Sequence, residues 1–81
     1  MRVHVLAFAR LRELLDAAER SLELPAGARA GEAWAALVRA CPALEGEAST
    51  TRFARNGRLV AFDEPLADGD ELALLPPVGG G

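Results

Sequence analysis

Lysine is absent from this chain of 81 residues, and all nine of its basic residues are arginine. Without a side-chain amine the protein cannot accept an isopeptide bond through lysine, so an activated carboxyl terminus could not build lysine-linked chains of its own kind. A single cysteine excludes an internal disulfide, and with only one histidine beside it no zinc site can be assembled. Also missing is any excess of positive charge: nine basic residues stand against twelve acidic ones, a net charge of −3. No basic face is available to a phosphate backbone, so nucleic acid is not an expected partner. No apolar run approaches the roughly 20 residues that cross a bilayer, and Met1 leads at once into an alternating pattern rather than a signal sequence. A cytoplasmic protein with no membrane partner is expected. The GxxxxGK[ST] loop that cradles nucleotide phosphates is also absent. At this length there is room for one domain, which buries roughly 60% of the surface its unfolded chain exposes, and none for a deep cofactor cavity. No metal and no bound cofactor are expected.

What is present reads as an α+β domain. Residues 2 to 8 alternate, with Val3, Val5 and Ala7 on one face and His4, Leu6 and Phe8 on the other, which predicts a strand with apolar residues on both sides. Leu11, Leu14 and Leu15 recur at helical spacing and predict a short helix. Residues 18 to 24 form a second strand stopped by Pro25. Trp34, Leu37, Val38 and Cys41 fall on one helical face, so the main helix begins near Ala30 or Gly31 and ends at Pro42. Residues 45 to 51 read as loop. Asn56-Gly57 supplies the positive φ angles of a tight turn, pairing residues 52 to 55 with 58 to 62. Asp68-Gly69-Asp70 marks another turn, and residues 71 to 75 form the last strand before Pro76-Pro77 prevents further pairing. A mixed sheet packed on one main helix is the expected architecture, with the domain spanning residues 1–75 and an extended tail spanning 76–81.

The tail, Pro76-Pro77-Val78-Gly79-Gly80-Gly81, is more than a terminal fray. Two prolines favour an extended backbone, and the glycines after them carry no side chains. Six residues drawn out span about 20 Å, enough to enter another protein's active site, and the carboxylate of Gly81 is left unhindered. A free carboxylate is a poor acyl donor, so a partner must first activate it with ATP.

Four segments carry a family resemblance: Phe8-Ala9-Arg10-Leu11-Arg12-Glu13-Leu14, Asn56-Gly57-Arg58-Leu59-Val60, Pro65-Leu66-Ala67-Asp68-Gly69-Asp70-Glu71, and the ending Pro76-Pro77-Val78-Gly79-Gly80-Gly81. Together they resemble the small subunits of molybdopterin synthase, sulfur carriers of the ubiquitin-like kind. The resemblance spans the chain, and Gly79 occupies a position that varies among small residues in that family. It implies a β-grasp fold with the first and last strands adjacent at the centre. It also implies that a ubiquitin-activating-like adenylyltransferase activates Gly81 with ATP and that a sulfurtransferase or cysteine desulfurase supplies sulfur to give a thiocarboxylate. The large subunit of a heterotetrameric synthase then receives the tail, and the sulfur passes to cyclic pyranopterin monophosphate to build the molybdopterin dithiolene. The catalytic groups belong to the partners, so the chain alone would not be an enzyme. Related carriers serve thiazole synthesis, cysteine synthesis or tRNA thiolation, and ubiquitin-like modifiers share the terminal Gly-Gly.

If Val3, Val5, Ala7, Leu72 and Leu74 face the helix, then Leu6, Phe8, Ala73 and Leu75 share the opposite face with Leu59 and Ala61. No second helix is available to cover that face, and a contiguous apolar patch marks a partner surface. The resemblance points the same way, placing Phe8, Arg12, Leu59 and Leu75 at the partner contacts. Cys41 reads as a buried thiol with no sulfur-relay role, Trp34 as core and His4 as a surface or interface residue. The cluster Asp63-Glu64 and Asp68-Asp70-Glu71 lacks calcium-loop spacing and reads as a solvated acidic edge.

Overall fold

The computed structural model describes residues 1–77. Alternating residues form β1 (Arg2–Ala7), in which Val3, Val5 and Ala7 are buried while Arg2, His4 and Leu6 face outward. Phe8 stays extended (φ −129°, ψ 155°) as the cap of α1 (Ala9–Leu15), which buries Leu11 and Leu15. The chain enters that helix through Ala9 at φ 51°, a left-handed conformation that costs a residue with a Cβ about 1 kcal/mol. Then β2 (Glu19–Glu23) leads to α2 (Ala30–Ala40), whose first turn is closed by Glu32 accepting the Arg29 N–H at 3.0 Å. Ala30, Ala33, Trp34 and Leu37 are its buried stripe. Val38 and Cys41 lie only half-buried at its margin, and the helix ends at Ala40, where Pro42 lacks an N–H to continue it.

Of the residues expected as loop, Glu45 to Glu47 instead continue a 3-10 turn that starts at Pro42. Pro42–Glu47 winds into a 3-10 helix that sends Leu44 into the core, and Thr51 Oγ1 donates to the Glu47 carbonyl at 2.7 Å to turn the chain into β3 (Arg52–Arg55). The β3 to β4 hairpin turns on Asn56 (φ 50°) and Gly57 (φ 86°), as that dipeptide demands. Its second strand is shorter than expected. β4 (Arg58–Val60) stops before Ala61, because the Phe62 carbonyl leaves the ladder to accept the Gly31 N–H at 2.7 Å. A Cβ on Gly31 would sit 2.6 Å from the Phe62 ring, so glycine at the start of α2 permits that approach. The Phe62 ring then packs on Phe53 (centroids 5.3 Å apart), which meets Trp34 edge-on at 6.0 Å.

With β5 (Glu71–Leu75) the five strands form one sheet in the order β2-β1-β5-β3-β4. The central pair, β1 with β5, is parallel, with Val5 beside Leu72 and Ala7 beside Leu74; all other pairs are antiparallel. One sheet face packs against α1, α2 and the 3-10 helix around Val3, Val5, Leu37, Leu44, Leu72 and Leu74, each 0 or 1% exposed. A mixed sheet on one main helix is the architecture the sequence predicts.

The acidic turn before β5 corrects another expectation. Asp68 is exposed, but Asp70 is buried at 6% exposure and is not part of a solvated edge. Its Oδ2 accepts from Arg55 Nε at 2.6 Å and from the Ala67 N–H at 2.7 Å, and its Oδ1 accepts from Asn56 Nδ2 at 2.9 Å. Arg55 also donates to Glu64 at 3.0 Å, and Asn56 Oδ1 accepts the Glu71 N–H at 2.9 Å. On the other side, Asp70 O accepts the His4 N–H, the Gly69 N–H donates to Arg2 O, and Asp68 Oδ1 accepts the Arg2 N–H. The turn thereby clamps the start of β5 between the start of β1 and the β3 to β4 hairpin. Desolvation pushes the Asp70 carboxyl upward, but the hydrogen bonds from Ala67, Asn56 and Arg55 outweigh it and hold the group below its ordinary value.

A depressed native pKa means that the unfolded chain binds this proton more readily. The Asp70 contribution is therefore complete above the unfolded carboxyl's pKa near 3.8 and is lost as pH falls through the lower native value. Asp70→Asn, followed by the fluorescence of Trp34 in urea, is expected to cost about 1–3 kcal/mol at pH 7. The same substitution should flatten the loss of stability below pH 4; an unchanged acid limb would show that the carboxylate is not the clamp.

Candidate functional site

The second sheet face carries no helix among the described residues. Strand register places Leu6, Ala73, Ala54 and Leu59 in one row across β1, β5, β3 and β4. One residue pair further along, Arg52 lies opposite Leu75, and Phe8 follows Ala7 where β1 passes Leu74. The last row before the tail is thus Phe8, Leu75 and Arg52. Phe8 is 45% exposed and Leu59 69%, while Leu6, Ala73 and Leu75 are half-buried. Ala54 is nearly covered, a small side chain between larger neighbours. Solvent meets a contiguous apolar strip here, not scattered leucines, and it runs to the end of the sheet from which Pro76 and Pro77 depart.

Three of the residues singled out from sequence, Phe8, Leu59 and Leu75, therefore share this face. Arg12 is exposed on α1, the helix that begins immediately after Phe8. Ala61 does not join them, since it lies beyond β4 in the turn to Phe62. Of the tail, Pro76 is half-buried and Pro77 exposed, both outside β5; Val78, Gly79, Gly80 and Gly81 lie outside the described residues. Sequence reasoning did not single out Arg52. Its two-residue offset from Ala54, opposite Leu59 in the hairpin, is the signal that would have found it.

The polar groups on the face are distributed unevenly. At the β2 side, His4 Nε2 lies 2.7 Å from Glu19 Oε1, and Arg2 Nε donates to Glu23 Oε1 at 2.9 Å. Near the tail end Arg52 on this face and Arg12 on α1 make no ion pair among the described residues, whereas Arg10 approaches Glu47 of the 3-10 helix at 3.5 Å on the helical side. Cys41 is half-buried and donates its thiol to the Leu14 carbonyl at 3.2 Å, on the helical side of the sheet and away from this strip. Among the described residues no group of three His, Cys, Asp or Glu side chains converges as a metal site, and no helix is long and apolar enough to cross a membrane.

The profile of the ThiS family matches residues 5–81, nearly the whole chain. The chain belongs to the ThiS family. Among curated proteins, this ThiS-family chain is 40% identical to the molybdopterin synthase sulfur carrier subunit of Chlamydomonas reinhardtii, over 100% of both chains. The crystal structure of small archaeal modifier protein 1 from Haloferax volcanii superposes with a TM-score of 0.89 at 36% identity, again over 100% of both chains. A complex of subunits 1 and 2 of molybdopterin-converting factor from Helicobacter pylori contains a chain matched at a TM-score of 0.68 and 27% identity, over 100% of each. The ThiS-family fold is thus the ubiquitin-like β-grasp.

The two faces of the sheet should respond differently to truncation. Leu74→Ala, on the helical face, is expected to cost about 2–5 kcal/mol, whereas Leu59→Ala, on the open face, should stay within about 0.5 kcal/mol. Urea unfolding followed by Trp34 fluorescence compares them, and similar losses at both positions would mean that the open face is covered in solution.

Proposed function

We propose that this chain is the sulfur-carrier subunit of a molybdopterin synthase and that its working group is the Gly81 carboxylate. The observation that carries this reading is the apolar strip ending in the row Phe8, Leu75 and Arg52, where the chain turns into Pro76-Pro77. A carrier whose catalytic groups lie on its partners must deliver its terminus into them. An exposed apolar face beside the base of a thin tail couples docking to insertion. End-to-end identity of 40% with a sulfur carrier subunit of that synthase supports the choice among carriers.

In this proposal a ubiquitin-activating-like adenylyltransferase joins the Gly81 carboxylate to AMP, releasing pyrophosphate from ATP. A persulfide on a sulfurtransferase or cysteine desulfurase then attacks the acyl adenylate and displaces AMP, and a second thiol cleaves the resulting acyl disulfide, leaving the Gly81 thiocarboxylate and a disulfide on the donor. The large synthase subunit binds the strip through Phe8, Leu59, Leu75 and Arg12 and takes the tail into its active site. There the thiocarboxylate sulfur bonds to cyclic pyranopterin monophosphate, and water hydrolyses the acyl–sulfur bond, leaving the sulfur on the pterin and returning Gly81 to a carboxylate. The glycines matter because a backbone without Cβ atoms passes a channel that would reject any other residue. ATP belongs to the activating partner; the carrier holds no cofactor. All of this chemistry takes place in the cytoplasm.

A second reading has one observation in its favour, the 0.89 superposition on a small archaeal modifier protein. Attack on the activated Gly81 by a target lysine, instead of sulfur, would give a conjugate. Immunoblots for conjugates in the native host separate the two outcomes, and intact mass of the purified protein detects the oxygen-to-sulfur exchange of the carrier.

Deleting Gly81 is expected to abolish sulfur transfer with an unfolding midpoint unchanged; full molybdopterin formation by the truncated protein would refute the carrier reading. Gly80→Val should impair both ATP–pyrophosphate exchange and single-turnover transfer from prepared thiocarboxylate far more than Gly79→Ala does. Normal rates for Gly80→Val in both steps would remove the steric argument for the tip. For docking, Phe8→Ala and Leu75→Ala should each weaken large-subunit binding by more than about 1 kcal/mol, measured by calorimetry; unchanged affinity with lowered stability would place both side chains in the core.

A further inference from the structure

We propose that Arg52 is a docking determinant of this carrier, pairing with a side-chain carboxylate that the receiving protein places beside the mouth of its tail channel. The inference rests on the carrier reading above and adds to it the chemistry of the partner's surface. Arg52 stands directly across from Leu75 on the open sheet face, in the last row before the tail. It is exposed and makes no ion pair or side-chain hydrogen bond among the described residues. Its neighbours sharpen the contrast, since β3's other arginine, Arg55, is spent on Asp70 and Glu64, and Arg10 faces Glu47.

Charge on this face is polarised along β5. Glu71 is exposed at the start of the strand, Leu75 ends it, and the four residue steps between them span about 13 Å. On the β2 side the one arginine of the face, Arg2, pairs with Glu23, and the His4 ring hydrogen-bonds to Glu19. The positive charge left beside the apolar strip is therefore at the tail end. A partner that covers the strip would bury the Arg52 guanidinium against its own surface, and desolvation without a counter-charge is costly. A carboxylate meets the guanidinium fork with two parallel hydrogen bonds and fixes orientation as well as distance.

A phosphate of the activating partner's nucleotide offers similar chemistry, but reach decides against it. Adenylation occurs at Gly81, six residues beyond Leu75, and six residues drawn out span about 20 Å. The side chain of Arg52 covers only a fraction of that length. The partner group it meets lies at the channel's entrance, where register between the two proteins is set.

The test measures binding of Arg52→Ala, Arg52→Lys and Arg52→Glu to the large synthase subunit over a series of salt concentrations, beside Phe8→Ala and Leu75→Ala. Arg39→Glu, an exposed arginine on α2, controls for net charge. Arg52→Ala is expected to weaken affinity roughly five- to tenfold and to flatten its dependence on salt, with Arg52→Glu weaker still and unfolding midpoints unchanged. Arg52→Lys should keep the salt dependence but recover only part of the affinity, since an ammonium cannot form the fork. If Phe8→Ala and Leu75→Ala weaken binding while Arg52→Glu behaves like Arg39→Glu, the inference is overturned and the carrier reading stands. If none of these variants changes affinity, the docking face itself is wrong and the inference falls with it. An effect of Arg52→Ala confined to the KM for ATP in the pyrophosphate exchange reaction would make phosphate the counter-charge and would equally overturn it.

Discussion

Parallel pairing of β1 with β5 is the constraint on which the rest of the molecule depends. It joins the first strand of the chain to the last, with His4 beside Glu71 and Ala7 beside Leu74. Parallel neighbours cannot be connected by a tight turn, so the intervening chain must cross over the sheet, and that crossover supplies α2 and the 3-10 helix. Both then pack on the same face and bury Leu37 and Leu44 against Val3, Val5, Leu72 and Leu74. A contact so distant in sequence has a high closure cost. The Asp68-Gly69-Asp70 turn offsets part of that cost by hydrogen-bonding both to Arg2 and His4 and to the hairpin at Arg55 and Asn56.

The same pairing sets the geometry of delivery. Because β5 lies between β1 and β3, the tail leaves from the middle of the sheet and not from an edge. Apolar residues of β1, β3 and β4 therefore flank its departure on both sides, Phe8 and Leu6 on one and Ala54 and Leu59 on the other. A partner that covers these residues necessarily covers the base of the tail. In the proposed function docking and insertion are one event, and Phe8 and Leu59 are the large apolar residues this face leaves exposed.

Such a small domain tolerates an uncovered face because its other face is densely filled. Sixteen buried hydrophobic residues form one cluster on the helical side, and a fully buried Leu or Val contributes about 1.5–3 kcal/mol relative to exposure. The polar network around Asp70 adds to that stability and joins three strands at one end of the sheet. It ties the starts of β1 and β5 to the β3 to β4 hairpin, beside the apolar cluster that fills the helical side.

Much of this could be read directly from the residues. Alternation in Val3-His4-Val5-Leu6-Ala7 and in Leu72-Ala73-Leu74-Leu75 determined two-faced strands, and Asn56-Gly57 determined the hairpin, because these are local steric preferences of neighbouring residues. Pro42 ended α2 and Pro76-Pro77 ended β5 for the same local reason. Three features depended on contacts far apart in the chain. Asp70 looks like any acidic turn residue until Arg55 and Asn56 are brought to it, and Phe62 looks like a strand residue until Gly31 takes its carbonyl. Arg52 reads as an ordinary surface arginine until antiparallel register sets it across from Leu75. Sequence determined which residues could form each element and which of their faces were apolar, since those follow from a period of two or of 3.6 residues. Tertiary structure alone decided which elements became neighbours, because hydrogen bonding and burial between distant segments have no signature in local order.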